Sequence, residues 1–152
     1  MVVMLKEQLE SDLTSALKAH DDVRKRTLRM ALAAVTNEEK AGKTERTLSD
    51  DEIVKVLARE VKKRKEAAEA FAGGGRAEQA QAERDEGAVL EAYLPQQLSD
   101  DELATLVREA IAESGAEGPR AMGAVMKVVN PKVAGRADGG RVAAEVKRQL
   151  AS

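Results

Sequence analysis

The 152-residue sequence contains no cysteine and no tryptophan, and it has one phenylalanine (Phe71), one tyrosine (Tyr93), one histidine (His20) and three prolines. Each scarcity excludes something. Without cysteine there are no disulfides and no thiolate metal sites, which is compatible with a reducing cytoplasm, and a cytoplasmic location is expected. With a single histidine and no spaced ligand set, neither a metal site nor a cofactor is expected. Sequence-specific readers of single-stranded RNA stack splayed bases on Phe, Tyr or Trp. Two aromatic residues, both outside the basic C-terminal stretch, cannot build that platform. Any RNA recognition must therefore read backbone and shape. Long apolar runs are also missing: the start, MVVMLKEQLE, is too polar for a signal peptide or a membrane span, so a soluble chain without a membrane partner is expected.

What the sequence has is charge and helix formers. Charged residues make up 34% of the chain, yet the formal net charge is only −2, so both signs are abundant and interleaved. Ala, Leu, Met, Glu, Lys, Gln and Arg dominate, a vocabulary that predicts an all-α protein.

The string LSDDE occurs twice, at residues 48–52 and 98–102. In both copies a Ser precedes a Glu by three positions, the spacing of a capping box. In that arrangement the Ser hydroxyl accepts from an unpaired first-turn amide and the Glu reaches back to the Ser N–H. Leu48 with Ile53, and Leu98 with Leu103, have the spacing of a hydrophobic staple. The acidic pairs fall where the helix dipole favours negative charge. The sequences downstream of the two copies, VKKRKEAAEAF and AESGAEGPRAM, do not match, which argues against a duplicated module. The motif marks two helix starts.

The same signals divide the rest. A first helix is expected over 4–20, with Leu5, Leu9, Leu13 and Leu17 every fourth residue, and a second from Asp21 or Asp22 to near Gly42. A third runs from Ser49 to Gly73–Gly75, a fourth stops at Pro95, and a fifth spans Ser99 to Gly115. Pro119 suits the first turn of a sixth, which Pro131 is expected to end. A seventh comes after the turn GRADGG, with Asp138 as its N-cap. Residues 95–98 are the expected hinge between a four-helix N-terminal domain (1–95) and a three-helix C-terminal domain (96–152).

Charge is uneven along the chain. Residues 1–118 carry 18 basic and 25 acidic side chains, whereas residues 119–152 carry seven basic and two acidic ones. A second basic concentration lies at 55–65, where Lys55, Arg59, Lys62 and Lys63 share one side of a helix, opposite Ile53, Leu57, Val61, Ala68 and Phe71.

Two longer strings carry a family resemblance: EAYLPQQLSDDEL at 91–103 and MGAVMKVVNPKVAGRADGGRVAAEVKRQL at 122–150. They resemble the YqeY family, also called GatB/YqeY-like proteins, and the second is similar to the tail domain of the tRNA-dependent amidotransferase B subunit. LRMALAAVTN and VLAREVKKRKEAAEAF extend the resemblance over nearly the whole chain. It implies a four-helix N-terminal domain, a three-helix GatB-tail-like domain, and contact between that tail and the outer corner of tRNA. It does not imply catalysis, because amide formation belongs to a part of the amidotransferase with no counterpart here. A carbon–nitrogen ligase label, with glutamine as amido-N-donor, is an association inherited with the family name.

Against that background each candidate has a functional and a plain reading. Met122, Val125, Met126 and Val129, with Val142, Val146 and Leu150, have the spacing of core faces, and Gly123 would let two helices approach. Arg120, Lys127, Lys132, Arg136, Arg141, Lys147 and Arg148 then project outward. They form either a solvated face or a phosphate-contacting one. The glycine-rich turn 134–141 could receive an anion, but Asp138 as N-cap would occupy the free amides, so Arg136 beside it is the better RNA contact. Gly73–Gly75 lacks the strand and the Lys-Ser/Thr of a phosphate loop. Glu83, Asp85 and Glu86 read as a solvated face, His20 as a helix-end stabiliser, and Tyr93 as an anchor between the two parts.

The function expected is a non-catalytic, tRNA-binding accessory protein using Arg120, Lys127, Lys132, Arg136, Arg141 and Lys147, with Lys55, Arg59, Lys62 and Lys63 as a secondary basic face. No DNA partner is expected. The alternative is a protein–protein adaptor for a tRNA-handling enzyme, docking through paired charged faces at 55–65 and 83–91. No nucleophile–base pair or cofactor loop supports an enzyme.

Overall fold

The computed structural model describes residues 4–115 and 117–151, and every regular element among them is helical. The α-helices are α1 (Leu5–Lys18), α2 (Asp22–Lys40), α3 (Asp50–Gly73), α4 (Ala77–Glu91), α5 (Asp100–Ser114), α6 (Met122–Val133) and α7 (Gly139–Ala151), with a 3₁₀ turn at Pro119–Ala121 leading into α6. The chain gathers into two compact units, Met1–Leu94 and Pro95–Ser152.

Both LSDDE copies cap helices. Ser49 Oγ accepts from the Glu52 amide at 3.2 Å while Glu52 Oε1 accepts from the Ser49 amide at 3.1 Å. In the second copy the same two bonds are 3.1 and 3.0 Å. Leu48, Ile53, Leu98 and Leu103 are all buried, so each staple faces its core. Asp21 caps α2 through the Arg24 amide, and Asp138 accepts from the Arg141 amide at 3.0 Å at the start of α7. The α1 helix has no side-chain cap of its own. Its Leu5 amide instead donates to Asp50 Oδ1 at 3.0 Å, so the first LSDDE serves two helix starts.

Each unit has its own core. In the first, Leu9, Leu28, Val35, Leu48, Ile53, Leu57, Val61 and Leu90 come together. In the second it is Leu98, Leu103, Val107, Val125, Val129, Val133, Val142 and Val146, with Met122, Met126 and Leu150 packed against them.

Several local expectations need correction. Pro131 lies inside α6 and does not end it. It removes one amide donor near the C-terminus, a loss the helix tolerates because Val129 and Val133 are held in the core. The helix stops at Ala134, whose backbone turns left-handed (φ 48°) while its amide donates to Asn130 O at 3.0 Å. Pro119 belongs to the 3₁₀ turn ahead of α6. Gly123 is exposed, and a Cβ there would meet nothing within 4 Å, so it mediates no close helix approach. His20 contributes by its backbone: it is exposed and takes a left-handed conformation (φ 55°) just past α1. Tyr93 packs on the N-terminal core, and its hydroxyl donates to Asp12 of α1.

Candidate nucleic-acid interface

The cations that the sequence assigns to one surface fall into two groups. Arg120 on the 3₁₀ turn, Lys127 on the outward side of α6 and Lys147 on α7 are exposed and have no ion pair among the described residues. The others are committed. Lys132 Nζ lies 2.9 Å from Glu113 Oε2 of α5, and this hydrogen bond holds its ammonium above the ordinary lysine range. Arg148 grips Glu145 one turn back through Nε (2.9 Å) and Nη2 (2.7 Å), which raises the guanidinium and lowers the carboxyl.

Arg136, expected to reach RNA, folds back instead. Its Nε donates to Val133 O at 3.1 Å and its Nη2 to Lys132 O at 2.7 Å, satisfying carbonyls at the end of α6. Its charge also reaches Glu102, whose carboxyl is lowered first by the Ser99 amide, then by the Ser99 hydroxyl, and least by Arg136. Arg141 Nη2 bonds both Leu98 O and Asp100 Oδ1, each at 3.0 Å.

The turn at 134–141 therefore interlocks with the second LSDDE. Leu98 N donates to Arg136 O at 2.7 Å, Leu98 O accepts from Arg141, and Gln97 Nε2 approaches Gly135 O at 3.4 Å. The two strings that are most distinctive in sequence are two halves of one structural joint. Beside it is a surface cleft of about 370 Å³ lined by Leu98, Asp101, Glu102, Thr105, Leu106 and Arg136. With two carboxylates to one guanidinium, it repels anions.

The unit boundary changes the charge picture as well. Residues 95–152 carry eight basic and eight acidic side chains, because α5 contributes Asp100, Asp101, Glu102, Glu109 and Glu113 against a single Arg108. The C-terminal unit is neutral, with acids concentrated on α5 and bases on α6 and α7.

On the N-terminal unit Lys55 and Lys62 are exposed without an ion pair among the described residues, while Arg59 lies 3.3 Å from Glu38 and Lys63 lies 3.4 Å from Glu60. The faces at 55–65 and 83–91, expected to await a partner, meet each other. Arg64 Nη1 lies 3.4 Å from Glu83 and 3.6 Å from Glu86, and Lys65 Nζ lies 3.0 Å from Glu91. Glu86 is not part of a solvated face: it is buried, and Arg26 Nε bonds it at 2.8 Å. That bond raises the Arg26 guanidinium further.

One cation cluster was not anticipated. Lys25, Arg26 and Arg29 line an open cleft of about 460 Å³ on α2 with Asp22. The run Arg24-Lys25-Arg26, then Arg29, carries the signal, since positions three and four apart share a helix side. Lys25 is matched by Asp22 at 3.3 Å and Arg26 by Glu86, leaving Arg29 as its exposed cation without an ion pair among the described residues.

Among the described residues no three His, Asp or Glu side chains are grouped so as to hold a metal ion, and no helix is long and apolar enough to cross a membrane. The family model for Yqey-like proteins matches residues 6–150, nearly the whole chain, and the protein belongs to this family. No curated protein matches it.

Proposed function

We propose that this protein is a non-catalytic accessory of tRNA handling, whose C-terminal unit touches RNA backbone through Arg120, Lys127 and Lys147. The observation that carries this reading is the division among the basic side chains: these three are exposed and without an ion pair among the described residues, while Lys132, Arg136, Arg141 and Arg148 serve the fold. The resemblance to the amidotransferase tail supplies the partner class, and the lack of aromatic residues supplies the mode, phosphate contact without base stacking. The glutamine-dependent ligase label is read as association with that machinery.

Three phosphate contacts imply modest affinity with a salt slope of about 2–3, so binding weakens about 16- to 64-fold between 50 and 200 mM salt. The test is titration of total tRNA against full-length protein at several salt concentrations. The wild-type chain is expected to show that slope, and the Arg120→Glu/Lys127→Glu/Lys147→Glu variant to lose it while keeping its helical circular dichroism. Absence of salt-dependent binding by the wild type removes RNA from the reading.

A second reading, an adaptor that docks on a tRNA-handling enzyme, is favoured by the neutrality of residues 95–152. A neutral unit with separated charges suits a protein surface of mixed sign better than a uniform polyanion. Capture of the same protein partner from extract after nuclease treatment, with no tRNA binding, decides for it.

A further inference from the structure

The α3–α4 hairpin is held differently along its length. Near its open end, α3 contributes Ile53, Val56, Leu57 and Val61 to the core, and α4 contributes Leu90, with Val89, Tyr93 and Leu94 packed alongside. Beyond Arg64 the large buried side chains stop. Residues 66–83 bury Ala68 and Ala80, neither of which joins the core cluster, and Phe71 is only half-buried. The connection at the tip passes through three glycines, with Gly75 left-handed at φ 76°. Alanine methyls bury little area, so this stretch loses little when it opens.

Where the two regimes meet lies an ion cluster. Arg64 of α3 stands 3.4 Å from Glu83, 3.6 Å from Glu86 and 3.8 Å from Glu60. Glu86 is shared with Arg26 of α2 at 2.8 Å, and Lys63 approaches Glu60 at 3.4 Å. Arg64 packs against α4 where Gly87 leaves room: a Cβ there would lie 3.5 Å from the Arg64 Cβ. The cluster is matched in charge but loose in bonding, since Arg64 Nε and Glu83 Oε2 are buried without a hydrogen-bond partner. Among the described residues, 66–83 have no hydrogen bond or ion pair to a helix other than α3 and α4.

We infer that residues 66–83 form an arm that opens as a unit while the rest of the N-terminal bundle stays folded, with the Arg64–Glu83–Glu86 cluster as the latch at its base. A helix of 24 residues would thus have a rigid first half and a labile second half. The α2 helix reports on the latch through Arg26, so whatever loads that helix also loads the arm.

Hydrogen–deuterium exchange of the full-length protein, read by mass spectrometry, tests this. Amides of 66–83 are expected to exchange about 100-fold or more faster than those of 53–61 in the same helix, the signature of a sub-global opening. Glu86→Gln leaves Arg26 and Arg64 without their shared carboxylate and should speed the arm about 10-fold or more further, the loss of one charge-assisted bond, with 53–61 unchanged. Equal protection in both halves of α3 overturns the proposal, and wild-type protein alone decides that. So does a Glu86→Gln variant in which 53–61 and 66–83 accelerate together, because the cluster would then hold the whole bundle.

Discussion

The two units solve the same packing problem with different materials. The N-terminal unit fills its core with Leu more than any other residue, and the buried polar or charged residues, Thr27, Glu39, Glu60 and Glu86, all lie in it. The C-terminal unit fills its core largely with Val and buries no polar or charged residue among those described. Its cations bridge neighbouring elements at the rim: Lys132 to α5, Arg136 to the end of α6, and Arg141 to the start of α5. The smaller side chains suit three short helices at close range. Because β-branched residues are weaker helix formers, those helices depend more on caps and tertiary contacts. A unit held by caps and rim ion pairs has fewer cations left for a partner, which is why a stretch with seven basic side chains offers only Arg120, Lys127 and Lys147.

Core truncation should break this comparison most forcefully. Leu57→Ala, at a fully buried site, is expected to cost about 3 kcal/mol, and Val129→Ala about one methylene less, near 2 kcal/mol. Urea denaturation can assign each loss to its unit. Tyr93 is the single tyrosine in a chain without tryptophan, so its fluorescence follows the N-terminal unit while circular dichroism follows both. A larger loss at Val129 would mean that the two cores do not differ simply by side-chain size.

The caps should come next and should match. Ser49→Ala and Ser99→Ala each remove one hydroxyl acceptor from near-identical boxes, so each is expected to cost about 1 kcal/mol. Asp50 and Asp100 sharpen the contrast, since identical positions serve different ends: the first accepts the Leu5 amide of α1, the second the guanidinium of Arg141.

Titration separates the units by a smaller margin. Glu39 and Glu52 in one unit, and Glu102 and Glu145 in the other, are held below 4.5, so the stability they supply is present above that value and is lost as pH falls through their lowered values. Acid should therefore weaken both units. At alkaline pH each unit has one group to lose: Lys132, raised above 10.5 by Glu113, in the C-terminal unit, and Tyr93 in the N-terminal one. Burial, and then the bond to Asp12, push the Tyr93 phenol up to about 12 from 10.0. Its contribution is complete below pH 10.0 and fades as pH rises toward 12, because the unfolded chain ionises first. Tyr93→Phe should remove the Tyr93 part of that alkaline limb, measured by helix content against pH, and leave the Lys132 part and the acid limb in place.

Much of the helix framework was legible because it is local. Ser49, Ser99, Asp21 and Asp138 cap helices within three residues of themselves, and the Val125–Val129 and Val142–Val146 spacings each define one helix side. Pro131 misled because its effect depends on tertiary burial: Val133, two residues on, sits in the core and carries α6 past the proline. Glu86 misled because nothing near it in sequence reveals that Arg26, sixty positions earlier, will lie against it. The candidate interface suffered in the same way. Arg141 looks as available as Lys127 until the turn at 134–141 meets residues 97–100, whereas Arg136 is taken by carbonyls three and four residues back, at the end of α6.

By itself the sequence determined where most helices begin, which side of each is apolar and that the chain has only one Phe and one Tyr, since these arise from hydrogen bonds and spacings within a turn or two, and from residue counts. The tertiary structure decided which charges are spent on residues far away in the chain, while pairs such as Arg148–Glu145 lie within one helix turn. An ion pair such as Arg141–Asp100 joins residues 41 apart, and only packing can bring them within 3.0 Å.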